Sequence, residues 1–301
     1  MDMNRIISLI TVFHPTQKHA ENIVRMAKQS DLTVVCDNSE DRHEELFCFL
    51  EGNVVYVPND DNLGLSQAFN KVLRDKERFS WEPDDVIVFF DQDSVIEEGH
   101  IAGLIREFED LMEKGYRVGC LGPVFYNNSN RKVEMPRMYK RLTETAISVD
   151  SIMTSSMVCT YSALEDVGFW NEEVFLDMAD WDICWRMKKS ERISVMTTAV
   201  MLNHTVGEGE RKIGPVSLRV AKPFREYYET RDCMYLLKKK YVPLKDRIRF
   251  HLMLTVRPLL HLWFLEDKEE RKYYIKLGVR HYRMRKKGKL AEEDKWKGKK
   301  G

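Results

Sequence analysis

Two carboxylates one residue apart, Asp91 and Asp93, follow the apolar run Val-Ile-Val-Phe-Phe at 86–90. If strand alternation continues through them, both side chains leave the strand on the same side. They would then offer hard oxygen ligands suited to Mg²⁺ or Mn²⁺, whose shell fills with waters and a substrate diphosphate. A second set of acids, Asp177, Asp180 and Asp182, stands before and inside the start of a helical pattern, with Trp181 and Trp185 beside it. Acids at a helix N-terminus cap it and meet its dipole. Three of them next to flat aromatic rings also compose what a sugar-binding pocket requires. His204 ends the run 195–204 just ahead of Gly207 and Gly209; it is either a hydrogen-bonded structural residue or a partner of the same cation.

These residues need a scaffold. Residues 5–13, 32–36, 54–57 and 86–90 are short apolar runs rich in β-branched and aromatic side chains, each followed by polar residues. They read as buried parallel strands. Helix-period stretches at 16–29, 40–50 and 65–76 alternate with them, making repeated βαβ units. In such sheets ligands lie beyond the carboxyl ends of the strands. The polar residues there are His14, Asp37-Asn38-Ser39, 59–62 and Asp91-Gln92-Asp93, four groups facing one crevice. Further strands are expected at 118–121 and 193–201, and helices at 162–167, 181–188 and 222–241. No Gly-x-Gly-x-x-Gly follows the first strand and no phosphate-binding Gly-x-x-x-x-Gly-Lys-[Ser/Thr] occurs, which sets dinucleotide and P-loop folds aside.

The 301 residues, 43% of them hydrophobic, suffice for one large α/β core with an appendage. Six cysteines without Cys-x-x-Cys spacing read as reduced thiols, neither a disulfide framework nor a zinc site. The N-terminus shows no signal peptide pattern, so a cytoplasmic protein is expected. A net charge of zero conceals a division: residues 238–301 hold 21 Lys/Arg against 8 Asp/Glu, a net of +13, and the first 237 residues hold −13. A basic appendage of this kind meets an anionic surface or is simply a solvated tail.

Taken in order, these pieces resemble the family 2 inverting glycosyltransferases of the GT-A fold, and among them the rhamnosyltransferase-like members, over residues 5–232. The resemblance implies an α/β, Rossmann-like, mostly parallel central sheet flanked by helices, with a C-terminal helical basic extension. The catalytic domain would span 1–237, its nucleotide-binding half 1–95 and its acceptor half 96–237, and the tail 238–301. Thr11-Val-Phe-His14-Pro15 resembles the turn after the family's first strand, placing Thr11 and His14 at the nucleotide. Asp37-Asn38-Ser39 is the motif whose aspartate accepts from the pyrimidine ring, with Asn38 beside it. Asn62-Leu-Gly64 through Asn70 resembles the opening of the helix beneath the nucleotide. Phe90-Asp91-Gln92-Asp93-Ser94 is the rhamnosyltransferase-like form of the metal motif, so that Asp91, Asp93 and His204 of His204-Thr-Val-Gly207 are the implied metal set and Gln92 a donor contact.

On the acceptor side, Thr154-Ser155-Ser156 and Gly168-Phe169-Trp170-Asn171-Glu172 resemble Thr-Ser-Gly and Gly-x-Phe-Asp-Glu, with Ser156 and Asn171 as departures. Ser155, Ser156, Trp170, Asp177, Trp181 and Asp182 are thereby the acceptor-binding candidates. Asp180 inherits the place of the catalytic base. Arg225-Glu-Tyr-Tyr-Glu-Thr-Arg231-Asp232 closes the match, where Arg225 and Arg231 either add charge near the phosphates or form structural ion pairs. The implied reaction is direct displacement at an anomeric carbon, with Asp180 taking the proton of the attacking hydroxyl and Mg²⁺ or Mn²⁺ neutralising the departing nucleoside diphosphate. The implied donor is dTDP-rhamnose, with a UDP-hexose or UDP-galactofuranose as the alternative. The acceptor is a saccharide, lipid-linked if the tail meets the membrane.

In the tail, 250–265 is apolar but interrupted by Arg257 and Pro258, too short and broken to span a bilayer. With Lys238–Lys240 before it and Arg283–Lys289 after, it fits interfacial helices on anionic lipid at the inner face of the cell membrane. The other reading is helices packed on the core or in a homodimer. Two rival classes remain open: a sugar-1-phosphate nucleotidyltransferase, which lacks its Gly- and Arg-rich phosphate loop here, and a nucleic-acid binder acting through the tail. No nucleic acid partner is expected.

Overall fold

A computed structural model describes residues 5–47, 52–127, 132–136, 138–204, 210–213, 216–219 and 221–298. The strands are β1 (Ile6–Val12), β2 (Leu32–Asp37), β3 (Val54–Pro58), β4 (Val86–Asp91), β5 (Val118–Asn127), β6 (Lys132–Glu134), β7 (Lys140–Arg141), β8 (Ala146–Val149), β9 (Met157–Thr160), β10 (Ile193–His204), β11 (Glu210–Ile213) and β12 (Val216–Arg219). The α-helices are α1 (Gln17–Ala27), α2 (Gly64–Leu73), α3 (Lys76–Phe79), α4 (His100–Glu113), α5 (Tyr161–Asp166), α6 (Ala179–Lys189), α7 (Arg225–Leu236), α8 (Leu244–Phe264) and α9 (Lys268–Arg283).

The chain forms two compact units, 1–171 with 180–205, and 172–179 with 206–301. In the first, one sheet runs β3-β2-β1-β4-β9-β5-β10-β8-β7, with β6 paired to β5. β3, β2, β1 and β4 are parallel to one another, as are β5 and β10, and β9 lies antiparallel between the two sets. The chain winds outward from β1 in one direction and returns to β4 on its other side. The exits of β1 and β4 therefore flank a topological switch point, where doubly wound sheets bind ligands. Helices cover both faces because both are apolar. α4 turns Ile101, Leu104, Ile105, Phe108 and Leu111 inward and α1 adds Ala20, Ile23 and Met26, all packed with Ile10, Val12, Val88 and Phe90. On the opposite face the ring of Phe89 meets Phe69 of α2 at 4.8 Å and Trp170 at 5.1 Å.

The second unit is built on aromatic packing of α7 with α9. Tyr227, Tyr228, Tyr274, Leu277 and Leu290 enclose Phe175, whose ring stacks on Tyr228 at 4.5 Å. The helix expected at 222–241 is the shorter α7, which lies in this second unit.

Two other expectations change. No helix occupies the described part of 40–50, which carries only a short 3₁₀ turn at Glu44–Leu46; residues 48–51 lie outside the described residues. The cause is Asp37, whose buried carboxylate draws the chain around itself, as detailed below. Arg257 and Pro258 interrupt the apolar run at 250–265 in composition but do not break the backbone helix there. α8 continues through Pro258, and the turn there is held by Arg257, which donates to Glu229 Oε1 at 2.9 Å and to His261 Nε2 at 3.2 Å. Proline removes one helical hydrogen bond; these side-chain contacts hold the turn beside it. Among the described residues no helix is long and apolar enough to cross a membrane. Cys36, Cys120, Cys159, Cys184 and Cys233 are free and buried, and Cys48 lies outside the described residues.

Candidate active site

The exits of β2, β1 and β4 end level with one another, Asp37 beside Val12 and Thr11 beside Asp91. Parallel pairing sends paired side chains to the same face and successive ones to opposite faces. Asp91 therefore leaves the sheet on the face of Thr11, and Asp37 on the face of Val12. The polar strand ends share the carboxyl edge of the sheet, as expected, but the two carboxylates flank the β1 exit from opposite faces.

Asp37 is almost fully buried, and its carboxylate is surrounded. Oδ1 accepts from the Ser39 peptide N–H at 2.9 Å and the Ser39 hydroxyl at 2.6 Å; Oδ2 accepts from Tyr56 Oη at 2.6 Å and lies 3.0 Å from His43 Nδ1. Ser39 Oγ in turn accepts from the His14 N–H at 2.7 Å, which fixes His14 in a left-handed conformation at φ 45°. Asn38 bridges strand ends, accepting from Asn59 Nδ2 at 2.9 Å and donating to Gly64 O at 3.3 Å. Asn62 Oδ1 caps the N–H of Gly64 at 3.0 Å, and Gly64 adopts φ 75°, the reason a glycine stands there. His43 and Tyr56 escaped sequence reasoning. Tyr56 carries a signal, since strand alternation puts it two positions from the residue beside Asp37, but His43 has none.

At β4 the strand stops at Asp91, because β1 pairs no further and β9 ends opposite Phe89. Gln92 and Asp93 enter a turn closed by the Ser94 N–H on Asp91 O at 3.1 Å. Alternation thus does not carry through to Asp93, which is exposed while Asp91 is half-buried. Ser155, expected near the acceptor, donates its hydroxyl to Asp91 Oδ2. Gln92 Oε1 accepts from the Phe13 N–H at 2.7 Å, binding the β4 turn to the β1 exit. A bridge between Val95 and Asn203 lays the end of β10, at His204, beside the segment leaving this turn. The His204 side chain and Gly207 lie outside the described residues. Among the described residues no three His, Cys, Asp or Glu side chains converge as a cage. Two carboxylates at an open turn still match the habit of Mg²⁺ and Mn²⁺, which take one or two protein oxygens and leave the rest to water and phosphate.

Asp180 is half-buried in the first turn of α6, its Oδ1 accepting from the Trp181 N–H at 2.9 Å. The half-buried Trp181 ring lies 6.4 Å from that of Trp185. Asp182 differs from its expected acceptor role: fully buried, it accepts from Arg186 Nε at 2.7 Å and Asn171 Nδ2 at 3.0 Å. Trp170 is another correction. At 1% exposure, with its ring in the Phe69–Phe89 cluster, it has no face to offer a sugar. Asn70, expected beneath the nucleotide, clamps that segment, its amide donating to Trp170 O and accepting from Trp170 N, both at 2.9 Å. In the second unit Asp177 accepts from Arg225 at 2.7 Å, and Arg231 is fully buried against Asp232 at 2.7 Å and Tyr227 Oη at 2.9 Å. Of the two readings open for each arginine, the structure shows the ion pair. Burial pushes the Asp232 carboxyl up to about 6 against the pull of Arg231.

Ser156 is buried at φ 64°, the left-handed region that favours the glycine of the resembling motif. Its hydroxyl lies 3.0 Å from His100 Nε2. Burial pushes His100 down to about 4 from an ordinary 6.5, so between those values the unfolded chain binds a proton that the folded chain does not. Stability attributable to His100 is therefore present above pH 6.5 and is lost as pH falls toward 4. From pH 7 to 5 the loss is about 2 kcal/mol. His100→Gln should lack this component, which urea unfolding at the two pH values measures; equal slopes for both proteins would show that His100 is not its source.

The parallel β3-β2-β1-β4 set, the antiparallel β9 and the acids at the β2 and β4 exits define an α/β protein of the GT-A glycosyltransferase fold. Residues 20–167 match the model of Glycosyl transferase family 2, and the chain carries a domain of that family. It is 27% identical over 259 residues to "dTDP-rhamnosyl transferase RfbF" of Shigella flexneri, covering 82% of this chain and 84% of that one. Two solved structures share the fold. The crystal structure of GalNAc-T7 with UDP, GalNAc and Mn²⁺ matches at a TM-score of 0.54 with 12% identity, over 82% of this chain and 54% of that one. That of S. aureus TarS matches at 0.55 with 14% identity, over 97% and 50%. The chain spans about half the length of each of these two structures.

Proposed function

We propose that the protein is an inverting, metal-dependent glycosyltransferase that moves L-rhamnose from dTDP-rhamnose to a hydroxyl of a lipid-linked saccharide at the inner face of the cell membrane. The donor assignment is carried by the similarity, along most of both chains, to a protein named as a dTDP-rhamnosyl transferase. In this reading the nucleotide lies across the exits of β2, β1 and β4. A pyrimidine N–H reaches Asp37 by replacing one of its present partners, and His43, at the rim of that cluster, is the one that can withdraw. Asp180 accepts the proton of the attacking hydroxyl, and Trp181 beside it supplies an aromatic face for the acceptor. Asp91 and Asp93, with His204, would hold a divalent cation, which when bound neutralises the departing nucleoside diphosphate. Ser155 orients Asp91 for that task, and Gln92 holds the turn against β1.

Incubation with a panel of dTDP- and UDP-sugars, reading release of nucleoside diphosphate and then transfer to a rhamnose-accepting lipid-linked saccharide, tests the assignment. dTDP-rhamnose should give the highest kcat/KM. A UDP-sugar giving the higher value would overturn the donor, and transfer to a free saccharide with no preference for the lipid-linked one would overturn the acceptor.

A further inference from the structure

α8 has two unlike sides. Inward, His261 Nδ1 lies 2.5 Å from Glu226 Oε1 of α7, Arg271 of α9 donates to the same oxygen at 3.1 Å, and Arg257 holds Glu229. These contacts, with buried Phe250, tie α8 to its neighbours. Outward stand Leu244, Ile248, Leu252, Val256, Leu259 and Trp263, each 46–76% exposed. Their spacing of four, four, four, three and four residues makes one continuous stripe, about 30 Å long on a helix rising 1.5 Å per residue. A monomeric soluble protein rarely leaves so long an apolar row in water.

What surrounds the stripe narrows the partner. The other exposed residues of α8 are Lys245, Arg249, His251 and Thr255, and its sole acid, Asp246, is half-buried. The adjoining α9 exposes Lys268, Lys272, Lys276, Arg280 and Arg283 against Glu269. We propose that the outward face of α8 docks flat on an anionic lipid surface, its apolar stripe entering the headgroup region and the cations of α8 and α9 meeting lipid phosphates. A second copy is a poorer fit. Glu266, Asp267 and Glu269 at the α8–α9 turn are exposed acids, but cations outnumber them on these two helices. Pairing this face with itself sets cation mostly against cation, whereas anionic headgroups oppose every cation with a negative charge. Trp263, at one end of the stripe, has the amphipathic ring suited to that depth. The helix lies on the bilayer; it does not cross it. This inference deepens the membrane location in the proposed function by naming the surface that makes the contact, and it rests on neither the donor nor the acceptor.

Flotation of the full chain with phosphatidylcholine vesicles, with and without phosphatidylglycerol, is the test. The protein should float with the anionic vesicles and bind the zwitterionic ones at least about tenfold more weakly, the difference shrinking as salt rises. The double variant Leu252→Glu, Leu259→Glu changes two exposed positions. It should lose at least about tenfold in binding while keeping the melting temperature of the parent. Absence of flotation, equal affinity for both vesicles, or binding that survives the double variant overturns the proposal. So does a dimer by light scattering that the variant dissociates while the parent ignores vesicles, which would assign the stripe to a second copy. Donor hydrolysis, assayed separately without lipid, reports on the transferase reading alone.

Discussion

Asp180→Asn should lower turnover by about 10²–10⁴-fold while leaving the affinity for dTDP unchanged, the pattern expected when a general base is lost and the donor pocket is not. The substitution is nearly isosteric, and an asparagine at the start of α6 caps as well as an aspartate does. The melting temperature should accordingly stay close to that of the parent. Removing a cap altogether costs about 1 kcal/mol, so a stability loss of that size together with near-normal turnover would assign Asp180 to the helix terminus alone. Its neighbours sharpen the test. Asp182 is bound to Arg186 and Asn171, and Asp177 to Arg225. Asp182→Asn should thus appear as a stability defect with little direct effect on chemistry, measured as a lowered melting temperature at nearly constant kcat. The reverse pattern, with Asp182→Asn inactive and Asp180→Asn active, would move the base by two residues.

The second large effect is expected at Asp93. Exposed at the turn after β4, it can become Asn without disturbing the core. Asp93→Asn should remove the increment that Mn²⁺ adds to dTDP binding, about 3 kcal/mol or roughly 10²-fold in Kd, as judged by calorimetry with and without the ion. Binding in metal-free buffer should be unaffected. If Mn²⁺ strengthens dTDP binding equally in parent and variant, Asp93 is not a ligand and the turn has another purpose. Asp91 is the less clean probe, because it also receives the Ser155 hydroxyl, and its removal disturbs the segment before β9.

Much of this could be read from local pattern. The runs at 6–12, 32–37, 54–58 and 86–91 form β1 to β4 because continuous β-branched and aromatic stretches bury well on both faces. The motifs at 37–39, 62–64 and 90–94 fall at strand exits and a helix start, as their polar residues imply. The failures share one cause. Alternation placed Asp93 on the side of Asp91, but a strand lasts only as long as its partners, and those end at Thr11 and Met157. A helical period at 40–50 yielded to the buried carboxylate of Asp37, which gathers Ser39, His43 and Tyr56.

Burial period and turn chemistry act over a few residues, which is why the first four strands, the residue types at their exits and the resemblance to a glycosyltransferase family were legible in the chain alone, while the antiparallel β9 between the two parallel sets was not. Which side chains remain for chemistry was decided by the tertiary structure. Asn70 and Trp170, separated by 100 positions, close on one another, and Arg231 disappears beneath Tyr227 and Asp232. The outward side of α8 stays apolar because its inward side is taken by the charges of α7 and α9. Each of these outcomes depends on a partner distant in the chain, and hydrogen bonds and ion pairs between such partners follow no period that a single stretch of residues can display.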